Sequence, residues 1–226
     1  MAHLIRKDSA TIQKDILTNV VKMLVDRKWI LRENISDIVK LLIENKNDEG
    51  IYTIKLNVDL FNVPVYEESE DKSEWKNFNG KTIALLNIHQ KIAGKSQSIN
   101  DFIAKYNNVH KIIVAEHINE KGKQIVMSAT NNKFTEIFIE DEFMLNLLEH
   151  ESSPKYEVLT IQEADEIKES YKMSKRQTPK MYDTDQAARH LYLKRGQLVR
   201  IIRNSEMTGE SIAYRLVIHR GSTALA

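Results

Sequence analysis

Two neighbouring stretches near the C-terminal end leave this chain little freedom in what it can build. Ser211 to His219 alternates: Ile212, Tyr214, Leu216 and Ile218 fall on one side, Ala213, Arg215, Val217 and His219 on the other. That is the period of a strand. Leu198 to Ile202 is rich in Val and Ile and reads as a second strand, joined through the turn residues Asn204 to Glu210. Upstream, Asp183 with Gln186 three residues on resembles a capping box, so a helix should open near Thr184. Ala187, Ala188 and Leu191 give it a narrow apolar stripe. Lys194-Arg195-Gly196 ends it, with Gly196 free to take a left-handed turn. The expected module is a helix followed by a hairpin, with Arg200 and Arg215 on its strands.

The same region concentrates charge. Lys172 to Arg220 holds 11 Lys and Arg against 4 Asp and Glu, so it carries +7 in a chain of net +1, and the remainder sums to −6. A compact basic module on an acidic remainder points to a negatively charged partner, protein or nucleic acid. The plainer alternative is a solvated surface.

The preceding part alternates helices and strands. Ser9 to Ile30 follows helical spacing through Ile12, Ile16, Val20, Met23 and Leu24, and a second helix opens near Ser36. Strands are expected at Ile51 to Phe61, Lys81 to Ile88, Val109 to Glu116, Gln124 to Ala129 and Phe134 to Ile139, with a helix over Ile99 to Tyr106. His117 to Lys123 reads as a tight turn, Asn62 to Asn79 as a polar surface loop, and Glu142 to Leu148 as helix or extended chain. Thr160 with Glu163 forms a capping box for a helix running to about Met173. Composition shifts at Glu149 to Tyr156, where Pro154 discourages a continuous helix. The expected class is therefore mixed α+β: an N-terminal α/β domain over residues 1–150 and a small C-terminal α+β module, helix plus β-hairpin, over residues 151–226.

Catalytic and metal chemistry finds little support. None of the seven His residues forms a close pair at i, i+3 or i+4, and Cys is absent, so no metal site and no disulfide is expected. No glycine-rich phosphate loop and no G-x-S-x-G elbow occurs, so no cofactor, no small-molecule substrate and no catalytic residue is expected. No run approaches the ~20 apolar residues of a membrane span, and the N-terminus has no apolar secretory core. Asp59 followed by Glu74-Trp75-Lys76 fits the loose carboxylate–lysine spacing of divalent-metal nucleases. That chemistry needs Glu74 and Lys76 on a strand, whereas they read as loop.

Leu193 to Val217, LKRGQLVRIIRNSEMTGESIAYRLV, resembles the C-terminal signature of the fifth subunit shared by eukaryotic nuclear RNA polymerases, and of the smaller archaeal counterpart of that subunit. The chain keeps Leu193, Lys194, Arg195, Gly196, Val199, Ile201, Ile202, Arg203, Ser205, Glu206, Gly209, Tyr214 and Arg215 of the pattern. Asn146, His150, Glu151, Pro154 and Lys155 keep the family's frame at the junction. Val21 to Ile30 is similar to the end of the family's first helix, with Lys28 where the family has Gly; Tyr192 likewise stands for a common Gly, Gln186 for a proline and Met207 for Thr.

The resemblance implies a non-catalytic subunit of a multisubunit DNA-directed RNA polymerase, acting in transcription. Its C-terminal assembly domain would dock on the largest subunit through Lys194, Arg195, Arg200, Arg203 and Arg215 and adjoin other polymerase subunits. Its N-terminal jaw domain would reach downstream double-stranded DNA through Lys121 and Lys123 in the expected turn around Gly122. Localisation would be the nucleus, or a virion or cytoplasmic viral factory if the polymerase is that of a large DNA virus. The competing class is a free-standing metal-dependent nuclease or nucleic-acid-binding protein.

Overall fold

Asp8 opens the first helix. Its carboxylate accepts a hydrogen bond from the Thr11 N–H at 3.3 Å, and α1 runs over Ser9–Asp26 with Ile16, Leu17, Val20, Val21, Met23 and Leu24 buried. The computed structural model describes residues 8–44, 50–60, 79–92, 96–128, 134–174, 176–205 and 209–219. They form mixed α+β structure in two units that divide between Asn146 and Leu147. The expected Asn62 to Asn79 loop with Glu74 and Lys76, the centre of the hairpin turn (residues 206–208) and the C-terminal tail lie wholly or mostly outside the described residues.

The first unit is built on one four-stranded sheet. After α2 (Ile35–Glu44) come β1 (Ile51–Lys55), β2 (Asn79–Ile92), α3 (Gln97–Lys105), β3 (Val109–Ile118), α4 (Glu120–Ser128), β4 (Thr135–Ile139) and α5 (Glu140–Met144). The sheet order is β1-β2-β3-β4; β1 lies antiparallel to β2, while β2, β3 and β4 are parallel neighbours. Parallel neighbours require a crossover, and α3 and α4 supply one each. Ile99, Phe102, Ile103 and Val126 of those helices pack against Leu86, Ile113, Ala115 and Ile137 on one face of the sheet. Alternation sends His110, Ile112, Val114, Glu136 and Phe138 to the other face, where Trp29, just beyond α1, meets the His110 ring edge-on at 5.3 Å.

Helix α4 replaces an expected turn and strand. Asn119 is the cause: its side-chain oxygen accepts the Gly122 N–H at 2.7 Å and its carbonyl accepts the Lys123 N–H at 3.0 Å. The helix starts there. Gly122 serves a close approach instead of a turn, because a Cβ on it would lie 3.2 Å from the Ile92 carbonyl oxygen. Other elements shift at their ends. α1 stops at Asp26 short of Ile30, β1 stops at Lys55, and β2 extends to Ile92.

Three helices end in the same way, and none uses glycine. In α1 the Trp29 N–H reaches the Leu24 carbonyl at 2.9 Å and the Lys28 N–H reaches Val25 at 2.8 Å, with Lys28 at φ 62°. In the second unit Lys172 (φ 50°) closes the helix Ile161–Ser170 and Tyr192 (φ 54°) closes the helix Gln186–His190 with the same pair of bonds. This is the Schellman closure, whose left-handed residue is usually Gly. Lys28 is exposed, so Lys28→Gly removes left-handed strain without removing core. It is expected to raise stability by about 0.5–1 kcal/mol, read as an increased urea midpoint at unchanged slope.

Lys111 is a buried cation in this unit. Its Nζ donates to the carbonyls of Tyr106, Asn107 and Val109 at 3.2–3.4 Å, so it ties β3 to the turn after α3. Burial lowers its pKa from 10.5 to about 8. The unfolded chain therefore binds the extra proton between about pH 8 and 10.5, and stability should rise with pH across that window. Urea midpoints measured across the window should show this slope in the wild type and lose it in Lys111→Met.

The second unit carries its own sheet. β5 (Lys155–Val158), α6 (Ile161–Ser170), β6 (Lys180–Tyr182), α7 (Gln186–His190), β7 (Leu198–Ser205) and β8 (Gly209–Ile218) give the order β5-β7-β8-β6. β7 pairs antiparallel with both β5 and β8, and β6 runs parallel to β8. The capping box of α6 forms as expected: Thr160 Oγ1 accepts from the Glu163 N–H at 3.3 Å, and the Glu163 carboxylate accepts from the Thr160 N–H at 2.9 Å. The cap of α7 does not. Asp185 holds the Ala187 N–H at 3.0 Å, while Asp183, the expected cap, bonds His219 at 2.6 Å across to the end of β8. Ala187, Ala188, Leu193 and Met181 pack on one face of this sheet with Val199, Ile201 and Val217. Leu159, Ala164 and Ile167 pack on the other with Leu198, Tyr214 and Leu216.

Candidate partner interface

The five basic residues expected to anchor a partner sit in three different settings. β7 alternates, so Val199, Ile201 and Arg203 share the α7 face while Leu198, Arg200 and Ile202 share the α6 face. Register does the same on β8: Arg215 lies opposite Val199 and Ala213 opposite Ile201, on the α7 face with Arg203. Arg200 is therefore separated from Arg203 and Arg215 by the sheet itself.

Arg200 is already engaged within the chain. Its guanidinium reaches the Glu157 carboxylate at 3.3 Å and lies 5.9 Å from the Tyr214 ring centroid. Glu157 also takes the Lys155 ammonium at 2.7 Å. Those two cations hold the Glu157 carboxyl below its usual range, the Lys155 hydrogen bond first among the causes. Lys194 stacks its ammonium 4.1 Å from the Tyr192 ring centroid, and its N–H donates to the Gln197 side chain at 2.8 Å. That contact fixes the turn into β7, where Gly196 (φ 88°) donates its N–H to the Val217 carbonyl at 2.9 Å.

Arg195, Arg203 and Arg215 differ. Among the described residues the side chain of none of the three makes a hydrogen bond or an ion pair. Between the last two in register lies the row Ala213, Ile201, Tyr156. Burial, then the Asp185 carboxylate, push the Tyr156 phenol up, and the charges of Arg203 and Arg215 oppose them. Tyr156 and Asp185 thus belong to the same constellation. Sequence reasoning did not assign them to it, because only the β5 register brings Tyr156 beside Ile201. Unpaired guanidiniums around a half-buried phenol suit recognition of carboxylates by planar, two-pronged hydrogen bonding.

In the first unit Lys121 and Lys123 lie in the first turn of α4, not in a loop. Lys121 is exposed, and Lys123 lies 3.5 Å from Glu120. Among the described residues there is no group of three or more His, Asp or Glu able to hold a metal ion, and no helix long and apolar enough to cross a membrane.

Comparison with known proteins bears on the unit that carries these arginines. The family model for RNA polymerase Rpb5, C-terminal domain, matches residues 145–217. The DNA-directed RNA polymerase subunit Rpo5 of Methanocaldococcus jannaschii is 40% identical over 76 residues, which is 34% of this chain and 97% of that one. Subunit RPABC1 of DNA-directed RNA polymerases I, II and III from Caenorhabditis elegans is 38% identical over 107 residues, 47% of this chain. This chain spans about half the length of that nematode relative, 51%. DNA-directed RNA polymerase subunit 5 of Acanthamoeba polyphaga mimivirus is 28% identical over 221 residues, 95% of this chain and 96% of that one.

Proposed function

Because this chain belongs to the RNA polymerase subunit family that unites Rpb5 with archaeal Rpo5, we propose that it is a non-catalytic component of a multisubunit DNA-directed RNA polymerase. The C-terminal unit docks on the largest subunit and adjoins other polymerase subunits. The observation that carries this reading is the self-contained second unit. It has cores on both faces of its own sheet, the family model matches residues 145–217, and an archaeal relative aligns with this chain over 76 residues that make up 97% of its own length. Arg195, Arg203 and Arg215 are its contact residues, with Lys194 next to Arg195 in the turn into β7, while Arg200 lies on the opposite face of the sheet. The N-terminal unit acts as the jaw near downstream double-stranded DNA. There Lys121 and Lys123, on the first turn of α4, add phosphate contacts without sequence preference. Similarity over nearly the whole length to a mimivirus subunit favours a viral polymerase, hence a virion or cytoplasmic viral factory; a cellular polymerase would place the protein in the nucleus.

Tagging the chain in its native setting and identifying what co-purifies tests this reading. The expected result is the set of polymerase subunits, including the largest. Recovery without any polymerase subunit, or metal-dependent DNA cleavage by the purified chain that disappears in Asp59→Ala, would overturn it.

A further inference from the structure

The α7 face of the second sheet has a repeat that a partner can read. Arg203 pairs with Ser211 and Arg215 with Val199, so Arg215 lies one strand across and four residues along from Arg203. At about 3.3 Å per residue and 4.8 Å between strands, their backbones stand about 14 Å apart. Midway lies the Ala213 row, where Ala213 is exposed and has only a methyl group to offer. An extended chain places residues i and i+4 on one side about 13 Å apart, with i+2 between them.

We propose that this face receives an extended acidic segment of the partner protein, with carboxylates at i and i+4 on Arg203 and Arg215 and an aliphatic side chain at i+2 over Ala213. The proposal rests on the docking reading above and supplies its chemistry. Both guanidiniums are without a partner among the described residues, so neither must break an ion pair with any of those to bind. A protein segment fits better than a nucleic acid strand. The middle row presents Ala213 and a half-buried Tyr156, not a platform of exposed aromatic rings for stacking bases.

The test is NMR on the full-length, nitrogen-labelled protein, following the Arg203 and Arg215 side-chain N–H signals and the Ala213 amide. The probe is a synthetic peptide Glu-Ser-Leu-Ser-Glu flanked by glycines. The three signals should shift together along one saturation curve. A Gln-Ser-Leu-Ser-Gln peptide should bind about tenfold more weakly. Arg203→Glu with Arg215→Glu should lose the acidic peptide and gain Lys-Ser-Leu-Ser-Lys, which a misfolded variant could not do. No shift at millimolar acidic peptide, equal binding of the glutamine peptide, or no gain in the swapped variant would overturn the proposal. Preferential binding of an oligothymidylate at the same signals would overturn it in favour of nucleic acid. If polymerase subunits co-purify while these results fail, docking stands and this chemistry falls.

Discussion

Residues 147–226 expressed alone are expected to fold and to retain the largest polymerase subunit in a pull-down, and Arg203→Glu with Arg215→Glu is expected to abolish that retention. Residues 1–146 alone should retain nothing. The fragment starts at 147 because Leu148 packs against the core formed by Met181, Val199 and Val217. A start at Lys155 would remove that side chain along with the approach to β5. Retention depends on the arginines because reversing both leaves like charges facing the partner, and truncating or inverting a hydrogen-bonded interfacial charge costs about 2–5 kcal/mol, a 30-fold to several-thousand-fold loss. Arg200→Ala is the internal control. Its guanidinium serves Glu157 on the opposite face, so retention should fall far less. Circular dichroism confirms folding of each variant. Retention by residues 1–146, with none by a folded 147–226, would mean that the roles of the two units are reversed.

Arg27→Ala should lower the stability of the N-terminal unit by about 3–5 kcal/mol, the cost of leaving one member of a buried charge pair alone. Arg27 grips Glu136 with both nitrogens, at 2.7 and 2.8 Å, and its side chain is 1% exposed. His110 Nε2 sits 2.7 Å from the same carboxylate, and the Arg27 guanidinium lies 4.9 Å from the Trp29 ring centroid. Replacing Arg27 and Glu136 together by Met should cost less than either single loss, since two apolar groups leave no stranded charge. Burial pushes the Glu136 carboxyl up, but the Arg27 charge and the His110 hydrogen bond outweigh it and hold it at about 2. The folded value lies below the ordinary 4.5, so this stabilisation is present in full above 4.5 and is lost as pH falls from there toward 2. Acid titration followed by tryptophan fluorescence should place wild-type unfolding inside that window. A wild-type-like urea midpoint in Arg27→Ala would show that the cluster does not support the fold.

What could be read from sequence divides by range. The α6 capping box needs only Thr160 and Glu163, three residues apart, and the β8 faces need only the alternation from Ile212 to Ile218; both were legible. The cap of α7 was misread by two residues because Asp183 and Asp185 are equally suited locally. Asp183 is withdrawn from that role by His219, 36 residues away. Helix α4 was missed because Lys121-Gly122-Lys123 has the composition of a turn, while the reason for glycine is the Ile92 carbonyl on another strand. The same limit applied to the interface. Alternation placed Arg215 on a strand, but nothing local told that Glu157 would claim Arg200, or that Tyr156 would stand beside Ile201. The Arg27–Glu136 contact joins residues 109 apart, and within FTEIFI the glutamate looks like any solvent-facing position of a strand.

β3 carries two polar residues in succession, His110 and Lys111, both buried and directed to opposite sides of the sheet. This pair makes strand alignment during folding nearly all-or-none. A slip of one residue exchanges every side chain between the faces. It would bring the Lys111 ammonium toward Arg27, strand it from the three carbonyls, and turn His110 into the hydrocarbon around Phe102. The flanking run Ile112, Ile113, Val114 and Ala115 is apolar on both sides and would tolerate either alignment. Fidelity of assembly in this unit therefore rests on the two polar residues that open the strand: they reject the wrong alignment electrostatically, a task their hydrophobic neighbours cannot perform.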